Sequence, residues 1–305
     1  MSIVAALGHG PGNGPAPAPV RRARGGAYLL LAPGLAYLGL FFVVPVVALL
    51  ATSLYVPVPG GDVGQFQPAF EWANYTRALA TYWPQMVRSF AYALIATLAA
   101  LVIAYPMAYV IAVRARGRVF LQGMLLVLVI APFFTSFILR TVAWKQILAD
   151  ESFVVAAMRA VSLLPPDGRL TATSFAVVAG LTYNFLPFMT LPIYASLERL
   201  DPRLVEAGAD LYANGPTTFW RVTLPLSMPG VVSGTLLTFI PASGDYVNSV
   251  LLGNNTTTMI GQVVDSRFFK VSDYPTAAAL SVVLMVAILL LVTAYVRRSG
   301  TEELL

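Results

Sequence analysis

The chain has 305 residues, of which 58% are apolar and only 11% charged, with a mean hydropathy of +0.75; this balance excludes a water-soluble globular domain and indicates an integral membrane protein. Its net charge of +5 comes from arginines set beside apolar runs rather than from a basic face, so no nucleic-acid partner is expected. With no cysteine, and His9 as the single histidine, disulfides, thiolate metal sites and a histidine-based metal or catalytic centre are excluded, and no metal site is expected.

Residues 1–26 open with a Gly-, Pro- and Ala-rich stretch that lacks the apolar surface to offset ordering entropy, and are expected to form a disordered cytoplasmic tail ending at Arg21, Arg22 and Arg24. The rest, 27–305, is read as one all-α transmembrane domain. A first span covers about 27–55, too long for a signal peptide and therefore retained, with Pro33 and Pro45 inside it. Residues 56–85, with Pro57, Pro59, Gly60, Gly61, Trp72, Trp83 and Pro84, read as an external loop with at most one surface helix. Further spans follow at about 86–113, 119–138, 174–197, 229–252 and 276–296, with a weak amphipathic helix at 153–164.

Six spans put both termini on one side. Eleven of the nineteen Lys and Arg residues then fall on that side, and the shortest loop carries Arg114, Arg116 and Arg118, so the termini and the 198–228 segment are expected to face the cytoplasm.

That segment contains EAGADLYANGPTTFWRVTLPLSMPG (Glu206 to Gly230), which reads as a helix, a break at Asn214-Gly215-Pro216 and a second helical turn, with small residues for close backbone approach and Phe219 and Trp220 as apolar anchors. An ordinary polar loop is the alternative. Neither Lys145 nor Lys270 sits in a phosphate-cradling turn, and paired carboxylates, nucleophile elbows and HExxH patterns are missing, so no catalytic residue is expected. Within the spans, Asp245 stands out. A carboxylate near the bilayer centre costs at least about 2.5 kcal/mol and needs a partner or a wet cavity. Pro241, Asn248 and Ser249 share its helical face. Two roles are open: lining a solute pathway, or pairing with an arginine of a neighbouring helix or subunit. Tyr246, Asn248, Tyr183, Phe185 and Trp144 are the other pathway candidates, with Asn184 read as an interhelical hydrogen-bonding residue. Arg140 and Trp144, four residues apart, read as interfacial anchors or substrate contacts.

The order Glu206-Ala207-Gly208, then Val222, Leu224-Pro225 and Pro229-Gly230 resembles the EAA loop of ABC importer permeases, with Gly208 where alanine is usual and Tyr212 where glycine is usual. The strings PFFTSFILRTVAW (Pro132 to Trp144), FIPASGDYV (Phe239 to Val247) and LLGNNTTTMIGQVV (Leu251 to Val264) resemble the spermidine/putrescine branch of those permeases. The resemblance implies a type I ABC importer permease fold in the bacterial inner membrane. It implies a second homologous permease subunit, two ATPase subunits and an extracytoplasmic substrate-binding protein as partners, with ATP and Mg on the ATPase and no cofactor in this chain. It also implies that Glu206, Ala207, Gly208, Asp210, Ala213, Phe219 and Arg221 form the ATPase-coupling surface. Permeases for iron, thiamine or sulfate, an ATPase-independent secondary transporter, and a membrane scaffold are the alternatives.

Overall fold

The computed structural model describes residues 24–210 and 212–298; the expected tail up to residue 23, and residues 299–305, lie outside the described residues. The chain divides into two units, Met1–Ala48 and Leu49–Leu305. In the first lie α1 (Arg24–Leu38), a π-helical turn (Gly39–Val43) and the start of α2 (Val44–Thr52). The π turn directly precedes the X-Pro pair Val44-Pro45. A proline offers no N–H to the carbonyl four residues back and its ring pushes that carbonyl away, and here Val44 N–H reaches back five residues to Gly39 instead.

The second unit begins with a feature absent from the all-α reading, a short antiparallel hairpin of β1 (Val56–Pro57) and β2 (Phe66–Gln67) with Val56 opposite Gln67. Then comes α3 (Ala73–Tyr109), which continues through a π turn (Val110–Arg114). It starts thirteen residues ahead of the expected span because Trp83-Pro84 does not interrupt it. Ala78 and Met86 pack against α12 (Ile260–Asp265) and α13 (Tyr274–Arg298), and that packing holds the extra turns. At 42 residues the continuous helix is about 63 Å long, roughly twice a hydrocarbon core.

The expected third span is broken. α4 (Val119–Ile130) and a 3-10 turn (Ala131–Phe134) lead to α5 (Phe137–Ile147), and the two parts meet at 97°. Pro132, which lacks an amide donor, sits at the break. α6 (Phe153–Ala160) is short; α7 (Ser174–Glu198) starts on a Thr173 cap whose Oγ1 accepts from Ala176 N at 3.2 Å. After α8 (Pro202–Asp210) and α9 (Gly215–Thr218), a third π turn (Phe219–Thr223) directly precedes an X-Pro pair, Leu224-Pro225, as the first does. α10 (Leu224–Ser243) follows, ending ahead of the expected limit of that span, and α11 (Val247–Leu252) resumes after a gap at 244–246. Among the described residues five helices are long and apolar enough to cross a bilayer, and the bent pair makes a sixth crossing when counted as one.

The centre of the unit is α3, α7 and α10. Ala93, Ala96, Ala100, Ala104, Ala108 and Ala112 are fully buried on one stripe of α3 and its π turn, which lets α7 come close. On α10, Gly230 and Gly234 are spaced four apart. A Cβ on Gly230 would lie 2.6 Å from the Pro192 carbonyl oxygen, and one on Gly234 would lie 3.0 Å from that of Met189. Backbone-to-backbone contact of this kind is how helices associate in lipid, where apolar burial offers no driving force.

Candidate functional site

Two places on the second unit carry polar chemistry. The first is built where α10 stops. Asp245, 8% exposed, sits in the gap before α11, and its Oδ1 accepts from Asn248 N at 2.8 Å and Asn248 Nδ2 at 3.1 Å, which fixes the start of α11. Asn248 Oδ1 in turn accepts from Asn184 Nδ2 at 3.1 Å, and that amide also donates to Thr141 Oγ1 at 3.0 Å. One buried chain, Thr141–Asn184–Asn248–Asp245, therefore ties α5, α7 and α11 together. Gly180 makes room for it, since a Cβ there would fall 2.6 Å from Asn248 Oδ1. Gly261 on α12 closes the other side: a Cβ there would collide with the Gly244 carbonyl and lie 2.9 Å from that of Asp245. Asp245 Oδ2 accepts no hydrogen bond among the described residues.

Of the other pathway candidates, Tyr246 is 46% exposed beside Asp245. Asn248 is wholly buried and belongs to the polar chain. Trp144 and Tyr183 meet edge to face at 5.4 Å, both partly buried. Phe185, at 6% exposure, packs in an apolar core with Leu181 and Ala96. Arg140 lies beyond the bend between α4 and α5. Its guanidinium lies over Phe133 and Phe137, at 5.4 and 5.6 Å, and those rings pack on Phe188 and Phe185 near the middle of α7.

The second place is the loop after α7. Glu206, Ala207, Gly208 and Asp210 lie on α8, with Glu206 and Asp210 exposed. The helix ends in a hydrogen bond from Ala213 N–H to the Gly208 carbonyl at 3.1 Å, five residues back, with Tyr212 left-handed at φ 58°. This is a Schellman end whose left-handed position, usually a glycine, holds a tyrosine, and its ring is fully exposed. Gly208 does not offer its face to a partner. A Cβ there would lie 3.2 Å from Thr218 Cγ2, so its small size serves the approach of α8 to α9. Phe219 also points inward, edge-on to Tyr105 at 5.5 Å and Tyr109 at 6.2 Å on α3, whereas Trp220, at 65% exposure, and Arg221 face outward.

Sequence reasoning treated Arg116 only as an orientation charge, but the fold gives it a specific task. Its Nη1 donates to the Leu200 carbonyl, and Nη2 donates to those of Leu197 and Glu198, each at 3.1 Å. Arg116 thus satisfies the orphan carbonyls at the end of α7 and fastens the root of α8 to the end of α3. A cavity of about 180 Å³ between Tyr109, Arg116, Leu200, Glu206 and Thr223 lies beneath this junction.

A multi-helix membrane bundle with a buried polar chain at a broken helix and one exposed helical loop is the architecture of a transport permease. The solved structures agree on the fold. A bacterial ABC transporter involved in the import of the acidic polysaccharide alginate matches 91% of this chain and 96% of its own with a TM-score of 0.65 at 16% identity. The MetNI methionine ABC transporter matches 70% and 93% with a TM-score of 0.55 at 17% identity. The chain therefore has the type I ABC importer permease fold.

The family model described as "Binding-protein-dependent transport system inner membrane component" matches residues 100–299, and the chain belongs to that family, as a multi-pass inner-membrane permease. It is 35% identical over 264 residues to the spermidine/putrescine transport system permease protein PotB of Escherichia coli (strain K12), covering 86% of this chain and 94% of that one. It is also 35% identical over 259 residues to the protein of the same description from Haemophilus influenzae, covering 84% and 88%.

Proposed function

We propose that this chain is the polyamine-conducting permease subunit of an ATP-driven importer. In this reading it pairs with a second homologous permease subunit and two ATPase subunits, which hold ATP and Mg, and it receives spermidine or putrescine from an extracytoplasmic binding protein. Both termini and the α8–α9 loop face the cytoplasm. The observation that carries the substrate class is Asp245: a buried carboxylate, held through Oδ1 and with Oδ2 free of hydrogen bonds among the described residues, on a polar chain between three helices. Such a group returns to an ammonium ion the attraction it loses on leaving water. The similarity to spermidine/putrescine permeases over most of the chain supports the same class.

The mechanism is alternating access. ATP binding closes the ATPase pair, and α8, gripped through Glu206, Asp210, Tyr212 and Trp220, moves with it. Arg116 passes the shift to the ends of α3 and α7. From there it reaches Asn184 and the break at Asp245. Coupling requires that the loop bind the two ATPase states with different affinity, since contact alone shifts no equilibrium.

The test is uptake of radiolabelled spermidine and putrescine by proteoliposomes holding the assembled complex, with binding protein added outside and ATP supplied on the loop side. ATP-dependent uptake is expected. Uptake driven by an ion gradient without ATP would make the chain part of a secondary transporter, and uptake of iron, thiamine or sulfate without polyamine would reassign the substrate.

A further inference from the structure

The proposed pathway leaves one charged side chain unexplained. Arg140 lies level with the middle of α7, between Phe133 and Phe137, and its Nε and Nη1 are buried with no acceptor among the described residues. Two aromatic faces offset only part of the hydration a guanidinium gives up at this depth, so an arginine here needs an anion in at least one state of the protein. Three carboxylates already hold arginines: Glu71 is taken by Arg77, Asp150 by Arg159 and Arg169, and Asp273 by Arg267. Glu198, at the end of α7, already accepts from Tyr194 and Gln122, whereas Asp245, 8% exposed beside α11, has an Oδ2 that accepts no hydrogen bond among the described residues.

The two incomplete groups stand beside elements that pack on one another. Arg140 precedes Thr141, which begins the hydrogen-bonded chain through Asn184 and Asn248 to Asp245, and α5 packs on α11. Each also stands just after a break in the helix ladder, Arg140 beyond the 97° bend and Asp245 in the gap between α10 and α11. Short helical pieces that follow such breaks are the elements able to re-aim a side chain without disturbing the alanine-lined core.

We propose that Arg140 is the resident counter-cation of Asp245 and sets which solutes pass. With the pathway empty and closed, the guanidinium occupies the carboxylate. An entering polyamine takes its place, and Arg140 withdraws over Phe133 and Phe137, the arrangement in this structure. A solute must therefore carry an ammonium backed by further positive charge to displace the arginine, and a single small cation does not suffice. Arg140 is in this way a positioning and selectivity residue, and this role rests on the polyamine reading of Asp245.

The test uses the assembled complex in proteoliposomes. Arg140→Gln is expected to admit a monovalent amine such as butylamine and to raise ATP hydrolysis without polyamine about tenfold, the change that loss of ~1.4 kcal/mol of closed-state preference gives. Arg140→Lys should stay near wild type, and Asp245→Asn added to Arg140→Gln should abolish the amine leak. Wild-type selectivity and basal hydrolysis in Arg140→Gln would overturn the proposal, as would a leak that persists in the double variant. Should single variants fail to assemble, the exchange Arg140→Asp with Asp245→Arg decides: recovered assembly supports a pair, and continued failure refutes it. Recovery in a complex whose wild type moves no polyamine would keep the pair and discard the substrate. Polyamine uptake with no recovery would do the reverse.

Discussion

Tyr212 offers the most direct test of how the loop is built. A non-glycine residue in the left-handed region costs about 1–2 kcal/mol, and here nothing in the described structure packs on the ring to compensate. Tyr212→Gly removes that strain but adds backbone freedom to the unfolded segment, an offset of about 0.5–1 kcal/mol. The net gain is ~0.5–1 kcal/mol, or a two- to fivefold larger ratio of closed to open helix end. The bond it stabilises is the one from Ala213 N–H to the Gly208 carbonyl. Hydrogen exchange in a peptide spanning 202–215 of the detergent-solubilised chain should therefore slow about two- to fivefold in Tyr212→Gly. It should be nearly unchanged in Tyr212→Ala, which keeps a Cβ. Exchange that is equal or faster in Tyr212→Gly would refute a strained Schellman end.

Arg116→Gln removes charged donors from the carbonyls of Leu197, Glu198 and Leu200, a loss of about 2 kcal/mol at the α7–α8 junction; uptake should fall far more than ATP hydrolysis by the complex, and a proportional fall in both would contradict the clamp. Asp245→Asn keeps an Oδ1 acceptor for Asn248 while deleting the charge, so the chain should assemble normally and lose most polyamine uptake; undiminished uptake would make Asp245 purely structural. Asn184→Leu breaks two interhelical bonds worth about 0.6 kcal/mol each, and should lower the denaturation midpoint only slightly; a severe loss would mean the polar chain holds the bundle together. Gly234→Leu has no room against the Met189 backbone and should prevent stable accumulation in the membrane, measured by size-exclusion chromatography in detergent.

Much of this architecture was legible because apolar runs and proline positions report spans directly. Asp245 was legible for the same reason, since a lone carboxylate in an apolar run has few uses. Other features failed for identifiable causes. Trp83-Pro84 reads as loop chemistry, yet α3 carries it because packing of Ala78 and Met86 outweighs the missing donor. Phe219 and Trp220 both read as outward anchors, yet only Trp220 faces out, since the π turn from Phe219 to Thr223 adds a residue per turn and breaks the angular phase by which helical faces are assigned. The aromatic setting of Arg140 was hidden because the bend at 131–136, which sets Phe133 and Phe137 against its guanidinium, leaves hydropathy unchanged. The alanine stripe on α3 and the Gly230–Gly234 spacing were present in the sequence as small residues four apart; they have meaning only once the helix opposite each is known.

The distribution of small residues also bears on how a movement of the loop reaches the gate. Between Arg116 and Asn184, α7 touches α3 through alanines and α10 through glycines, so its neighbours meet it at the backbone and not through long side chains. Close-packed contacts of this sort have little compliance and favour movement of the helix as a body. The breaks at 131–136 and 244–246 then become the places where conformational change is absorbed, and these are the segments that aim Arg140 and Asp245. Widening the α7–α10 contact with Gly230→Ala, whose Cβ would press on Pro192 and Ser196, should thus weaken coupling even though the residue touches neither the loop partner nor the solute.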